Sequence, residues 1–261
     1  MATVRQPAVA GLFYPADPAE LKRTVDGFLH AVVATQPAPK ALIVPHAGYV
    51  YSGPIAASAY ATLSSLRETV TRVVLLGPAH RVPLHGLAAS SAAFFQTPLG
   101  RIALDRGAIE RALTLPQVKL LDEAHALEHS LEVQLPFLQQ SLAGFSLVPF
   151  VVGDASAEEV AEVLELLWGG PETLVVISSD LSHYHDYQTA RRMDAATSEA
   201  IETLRPQDIQ YDQACGRIPV TGLLVVAHKL GLRADTLDLR NSGDTAGPRD
   251  QVVGYGAYVF H

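Results

Sequence analysis

The chain of 261 residues contains a single cysteine, Cys215. An intramolecular disulfide is therefore excluded, and this usage fits a reducing compartment. Positive charge is also scarce: 19 Lys and Arg stand against 27 Asp and Glu, leaving a net charge of −8. No basic run is longer than a pair such as Arg191-Arg192, which reads as a solvated helix face. Neither nucleic acid nor an anionic membrane is expected as a partner, since both select basic surfaces. No apolar run approaches the roughly 20 residues of a membrane span. The N-terminus has neither the basic start nor the apolar core of a signal peptide. A cytoplasmic protein is expected.

Apolar residues are plentiful at 48%, and charged ones make up 18%. A chain of this length and composition buries most of its unfolded surface without staples. No internal repeat of fixed period is present, and Gln36-Pro-Ala-Pro-Lys40 reads as a short linker. One domain over residues 1–261 is expected, with 1–40 packed on the common core.

Four short runs share a pattern. Ala41–Val44 leads into Pro45-His46-Ala47-Gly48, and Arg72–Leu76 into Gly77-Pro78-Ala79-His80. Leu147–Val152 leads into Gly153-Asp154, and Leu174–Ile177 into Ser178-Ser179-Asp180 with Ser182-His183 following. Each run is continuously apolar, as in a strand buried on both faces. Each ends in residues that break strands. Helical spacing occupies 157–168, 190–204 and 221–230, the last closed by Gly231. Residues 95–104 read as a hairpin, and 252–260 as a final strand. The pattern predicts an α/β fold: a three-layer α/β/α sandwich around a mostly parallel or mixed central sheet.

Open α/β sheets bind ligands at the carboxyl ends of their strands. Here those ends deliver His46, His80, Asp180 and His183 to one edge. A lone histidine after a strand is more often a packing or surface residue, but three strand ends bearing imidazoles point to a metal site, because imidazole is the commonest metal ligand. The segment His125-Ala-Leu-Glu128-His129-Ser-Leu-Glu132 reads as a helix with its polar residues on one face and Leu127 and Leu131 on the other. On its own that is either a solvated stripe or a pocket wall. Cys215 sits between Ala214 and Gly216, with Arg217 following. A buried cysteine is usually a small hydrophobe. A nearby arginine or helix N-terminus would favour thiolate, a good ligand for iron, copper or zinc.

Together these motifs resemble the Memo family, whose prokaryotic members are called AmmeMemoRadiSam system protein B. The resemblance rests on Val44-Pro-His46-Ala-Gly-Tyr49 with Ser52-Gly53, Leu76-Gly-Pro-Ala-His80, Glu128-His-Ser-Leu-Glu132, Ser178-Ser-Asp180-Leu-Ser-His183 and Cys215-Gly-Arg-Ile-Pro219. It implies a fold shared with the class III extradiol dioxygenases, which hold iron with two histidines and a glutamate. It implies metal binding by His46, His80 and Cys215, the thiolate standing where those enzymes have a carboxylate. The metal implied is iron or copper, with zinc also compatible. His183 is implied as an acid/base group, with Asp180 orienting a neighbouring histidine and with His129 and Glu132 lining the same pocket. Tyr49, Tyr51 and Tyr184 are the aromatic residues expected to shape it.

Three functions follow from this reading. The first is a metal-dependent redox protein acting on a small molecule. The second is a non-catalytic protein that binds a small ligand or peptide, as the association of animal Memo proteins with phosphorylated receptor peptides suggests. The third is a hydrolase using metal-activated water or a Cys215–histidine pair. The family name implies an AMMECR-type protein and a radical-SAM enzyme as partners.

Overall fold

In a computed structural model, which describes residues 3–33 and 36–261, the runs predicted to be strands fall in the middle of one sheet. In chain order the strands are β1 (Val4–Arg5), β2 (Ala41–Val44), β3 (Arg72–Pro78), β4 (Leu87–Ala89), β5 (Phe94–Thr97) and β6 (Gly100–Ala103). They continue with β7 (Val118–Leu120), β8 (Ser146–Val152), β9 (Thr173–Ser178), β10 (His183–His185), β11 (Ala234–Asn241) and β12 (Val252–Phe260). The main sheet runs β10-β12-β2-β9-β3-β8-β4-β7, with β11 also paired to β12. Its centre, β2-β9-β3-β8, is parallel throughout, whereas β12 joins β2 antiparallel and β4 joins β8 antiparallel. The predicted hairpin at 95–104 is β5-β6, which pairs with β1 in a small second sheet.

The helices are α1 (Pro18–His30), α2 (Tyr49–Tyr60), α3 (Arg106–Ala112), α4 (Asp122–Ala126), α5 (Leu135–Ser141), α6 (Ala157–Leu167), α7 (Tyr187–Glu202) and α8 (Arg217–Leu230). Helices α1, α2 and α5 pack together over β2 and β12, while α3, α6 and α8 pack over β3, β8 and β9. The architecture is the expected α/β sandwich with a mixed sheet. All four residues of β2 and all six of β9 are buried. This explains their continuous apolar runs, since both faces are covered by helices. Residues of the N-terminal segment, including Tyr14, Leu21 and Val25, join the same core. No described helix is long and apolar enough to cross a membrane.

Register aligns the strand ends. Val44 is level with Ser178, and Leu76 lies opposite both Ile177 and Phe150. The residues that follow β2, β3 and β9 therefore emerge side by side.

One expectation fails. The segment 125–132 is not a helix: α4 stops at Ala126, and only Glu132–Gln134 forms a further single turn. The predicted shared face dissolves as a result. His125 turns inward and bonds the Ala88 carbonyl at 2.9 Å. Glu132 is fully buried, where it pairs with Arg5 and accepts from the N–H groups of Ala8 and Val9 and from the Tyr14 hydroxyl. Leu127 is 67% exposed instead of packed. Short-range periodicity lost here to the buried Arg5, which donates to the carbonyls of His125 and Glu128 and so holds the chain in a loop.

Candidate metal centre

His46 follows β2 by two residues, and Asp180 follows β9 by two. The aligned register lets the Asp180 carboxylate accept the His46 N–H at 2.7 Å. His80 follows β3 by two residues. Cys215 arrives from the far side of the sequence, on the loop before α8. The Cys215 N–H donates to the Asp180 carbonyl, and the Asp180 N–H donates to Cys215 Sγ, each at 3.3 Å. Two glycines permit this convergence. A Cβ on Gly216 would stand 2.6 Å from Ser179 Cβ and 2.8 Å from the Ser178 carbonyl, and one on Gly77 would stand 2.8 Å from Ser130 Oγ.

The donor atoms of His46, His80 and Cys215 all lie within 4.8 Å of one another. Cys215 Sγ is 3.4 Å from His46 Nε2. Neighbouring ligand atoms of a four-coordinate site with ordinary metal–nitrogen and metal–sulfur distances stand about 3.3–3.6 Å apart, so this donor set fits a transition-metal ion.

The hydrogen bonds behind the histidines fix their tautomers. The Ser178 hydroxyl donates to the Ser130 carbonyl at 2.6 Å and accepts from Gln134 Nε2 at 2.8 Å. Its only proton is committed, so His46 Nδ1, 2.9 Å away, meets it as an N–H donor. Gln134 is held in turn by the Tyr60 hydroxyl and the Pro45 carbonyl. His80 Nδ1 donates to the buried Glu128 carboxylate at 2.9 Å, which also accepts from the N–H groups of His80, His129 and Ser130. Both imidazoles thereby keep Nε2 as the nitrogen with a lone pair, that of His46 facing Cys215 Sγ. This is the outer-shell arrangement that raises ligand basicity and fixes ring orientation.

Burial favours the neutral forms of His46 and His129. Burial, reinforced by His80, pushes His46 down to about 3. Burial, reinforced by the neighbouring His46, pushes His129 down to about 4. Burial alone would raise Glu128, but the hydrogen bond and electrostatic pull of the His80 imidazole and the backbone N–H donors outweigh it and hold the carboxyl at about 2. Arg217 and the α8 N-terminus do not decide the state of the Cys215 thiol: burial, then the Asp180 charge, push it well up, more than the N–H groups of Asp180 and Gly216 bring it down. Burial likewise raises Asp180.

These residues border a cavity of about 560 Å³ that contains His46, His80, His129, Asp180 and His183 in its lining. The three imidazoles of His46, His80 and His129 have ring centroids 4.7 to 5.5 Å apart. His183 Nδ1 faces the Leu181 carbonyl at 2.8 Å, which leaves Nε2 as its free ring nitrogen. Tyr51 and Tyr184 line the cavity as expected, but Tyr49 does not. It is buried in an aromatic cluster with Phe28 and Phe137, its hydroxyl on the Val133 carbonyl. Glu132 does not line it either. The sequence reading missed Phe13, Arg81 and Tyr255, which complete the walls. Phe13 packs on His129 at 4.8 Å from a loop more than 100 residues away, and no local pattern announces that. Tyr184 has a positive φ of 61°, uncommon outside glycine, next to His183. The histidines at 30, 85, 185 and 228 lie outside this cavity.

The geometry can be set beside known proteins. A family model described as Memo-like protein matches residues 5–259. The chain belongs to the Memo family. It is 37% identical to a MEMO1 family protein of Aquifex aeolicus, over 98% of this chain and 99% of that one. It is 38% identical to another from Ignicoccus hospitalis, over 98% of each chain, and 36% identical to one from Sulfolobus acidocaldarius, over 97% of each. A solved structure of an uncharacterized protein from Escherichia coli K12 shares the fold at TM-score 0.57 and 13% identity, covering 84% of this chain and 98% of that one.

Proposed function

We propose that His46, His80 and Cys215 hold one redox-active transition metal, iron or copper, and that this Memo-family chain uses it on a small organic molecule bound in the adjoining cavity. The observation that carries the reading is the donor set: two imidazoles whose Nδ1–H groups are committed elsewhere keep Nε2 as their donor, that of His46 faces Cys215 Sγ at 3.4 Å, and the ligand atoms of all three residues lie within 4.8 Å of one another. A thiolate makes the set softer than two histidines and a carboxylate, which suits copper or thiolate-bound iron. Zinc accepts the same donors but carries no redox chemistry. When bound, the metal would supply Lewis acidity and electron transfer at positions open to the cavity.

The remaining chemistry belongs to side chains. His183 Nε2 holds or releases a proton of the ligand, with Asp180 and His129 beside it. Phe13, Tyr51, Tyr184 and Tyr255 give the ligand flat walls and thin the water around it. Cysteine hydrolysis is the weaker reading despite the 3.4 Å contact between Cys215 and His46. It requires a thiolate–imidazolium pair, and burial favours the neutral form of both groups.

The test is metal content by mass spectrometry of anaerobically purified, untagged protein, repeated for His46→Ala, His80→Ala and Cys215→Ser. Near-stoichiometric iron or copper, lost in all three, supports the site and leads to oxygen-consumption screens. An unloaded parent that takes up neither Fe(II) nor Cu(I) at micromolar concentration would leave the cavity as a ligand-binding site only.

A further inference from the structure

Cys215 stands at a partition between two cavities. His46, His80, His129, Asp180 and His183 line the main one, and Cys215 does not. Cys215 lines a second cavity of about 530 Å³, together with the apolar residues Pro78, Ala79, Leu84, Val152 and Ile218. The two share the end of β3 and the loop after it, with Pro78 and Ala79 lining the second cavity and His80 the main one.

Their charges differ. The lining of the second cavity includes no lysine or arginine, and its outer part carries His85 and Asp154. These side chains are 89% and 79% exposed, with Nδ1 and Oδ2 3.2 Å apart. The main cavity instead carries the exposed cation Arg81.

We infer that the second cavity is the loading route by which a transition-metal cation reaches Cys215, with His85 and Asp154 as the point of first capture. The inference rests on the metal reading above. A carboxylate at a cleft mouth raises the local concentration of cations, whereas an arginine lowers it. An imidazole and a carboxylate suit first-row divalent ions, and two exposed donors hold them weakly enough to let go. Apart from that pair, the thiol and the phenol of Tyr211, the lining offers the ion only apolar side chains and a glycine. The main cavity is thereby kept for the organic ligand, and the metal does not have to pass it.

The test is stopped-flow loading of the metal-free full-length chain with Co(II), read by the thiolate-to-cobalt charge-transfer absorption. Asp154→Lys reverses the charge at an exposed position. It should slow loading about tenfold at low ionic strength, with the gap closing as salt is added. Ile218→Trp narrows the cavity and should slow loading at every ionic strength while the final amplitude is kept. Parent-like rates in both variants would overturn the route, and faster loading in Arg81→Glu would then identify the main cavity as the entrance. Absence of the thiolate band in the parent at saturating Co(II) would remove the metal reading itself, and this route with it.

Discussion

The Nδ1–H of His46 rests on Ser178 Oγ at 2.9 Å, and Ser178 is itself fully buried with its proton given to the Ser130 carbonyl. Ser178→Ala would strand three buried groups at once: the His46 N–H, a Gln134 N–H and the Ser130 carbonyl. Each unpaired buried polar group costs about 1–3 kcal/mol. A loss of at least about 3 kcal/mol in urea denaturation is expected, together with a tenfold or larger drop in metal affinity of the kind typical for changes to groups that hold a ligand in place.

Glu128 does for His80 what Ser178 does for His46. Glu128→Gln substitutes an amide for the carboxylate that accepts the His80 Nδ1–H. Outer-shell carboxylates of this type contribute about 10- to 100-fold in metal affinity. Competition with a chromophoric chelator should show a loss in that range. A change under threefold would mean that the His80 tautomer does not depend on this pair.

The Arg5–Glu132 pair is an ion pair with side chains only 6% and 0% exposed. Arg5→Met leaves the Glu132 carboxylate buried without its cation and frees the carbonyls of His125 and Glu128. Breaking a buried pair from one side costs about 3–5 kcal/mol. The midpoint of guanidinium unfolding should fall accordingly.

His125 predicts the pH response. Its Nε2 bonds the Ala88 carbonyl, its Nδ1 is buried without a partner, and burial is the main cause that pushes it down to about 4. The folded state therefore resists a proton that the unfolded chain accepts below its ordinary value near 6.5. Stability is unaffected by this group above that value and falls as pH drops from about 6.5 to about 4, by roughly 3 kcal/mol in total. His125→Gln should make the stability profile shallower by about that amount across the window when followed by denaturation at successive pH values, with His46 and His129, which burial also pushes down, keeping the rest of the slope.

The central strands were legible because each is sealed on both faces, so the apolar run itself is the signal, as in Leu42 and Ile43 of β2 or Val175 and Val176 of β9. The site residues at their carboxyl ends were legible for the same reason. They break those runs, as His46, His80 and Asp180 do. What stayed hidden depends on partners distant in sequence. Phe13 reaches His129 from the N-terminal loop, and Arg5 dissolves a helix that periodicity favoured at 125–132. Local sequence shows Arg217 beside Cys215 but not the burial and the Asp180 carboxylate that raise its thiol.

The three donors come from loops after β2 and β3 and from the loop before α8, so no short stretch of this chain carries two of them. A nascent chain that stops short of Cys215 would offer a metal two of the three ligands at most. Any ion held by the full set would act as a signature of completed folding and would favour the folded state by about 2.7 kcal/mol at a free concentration one hundred times its dissociation constant. Starving the cell of that ion would then shorten the lifetime of the protein as well as empty its centre.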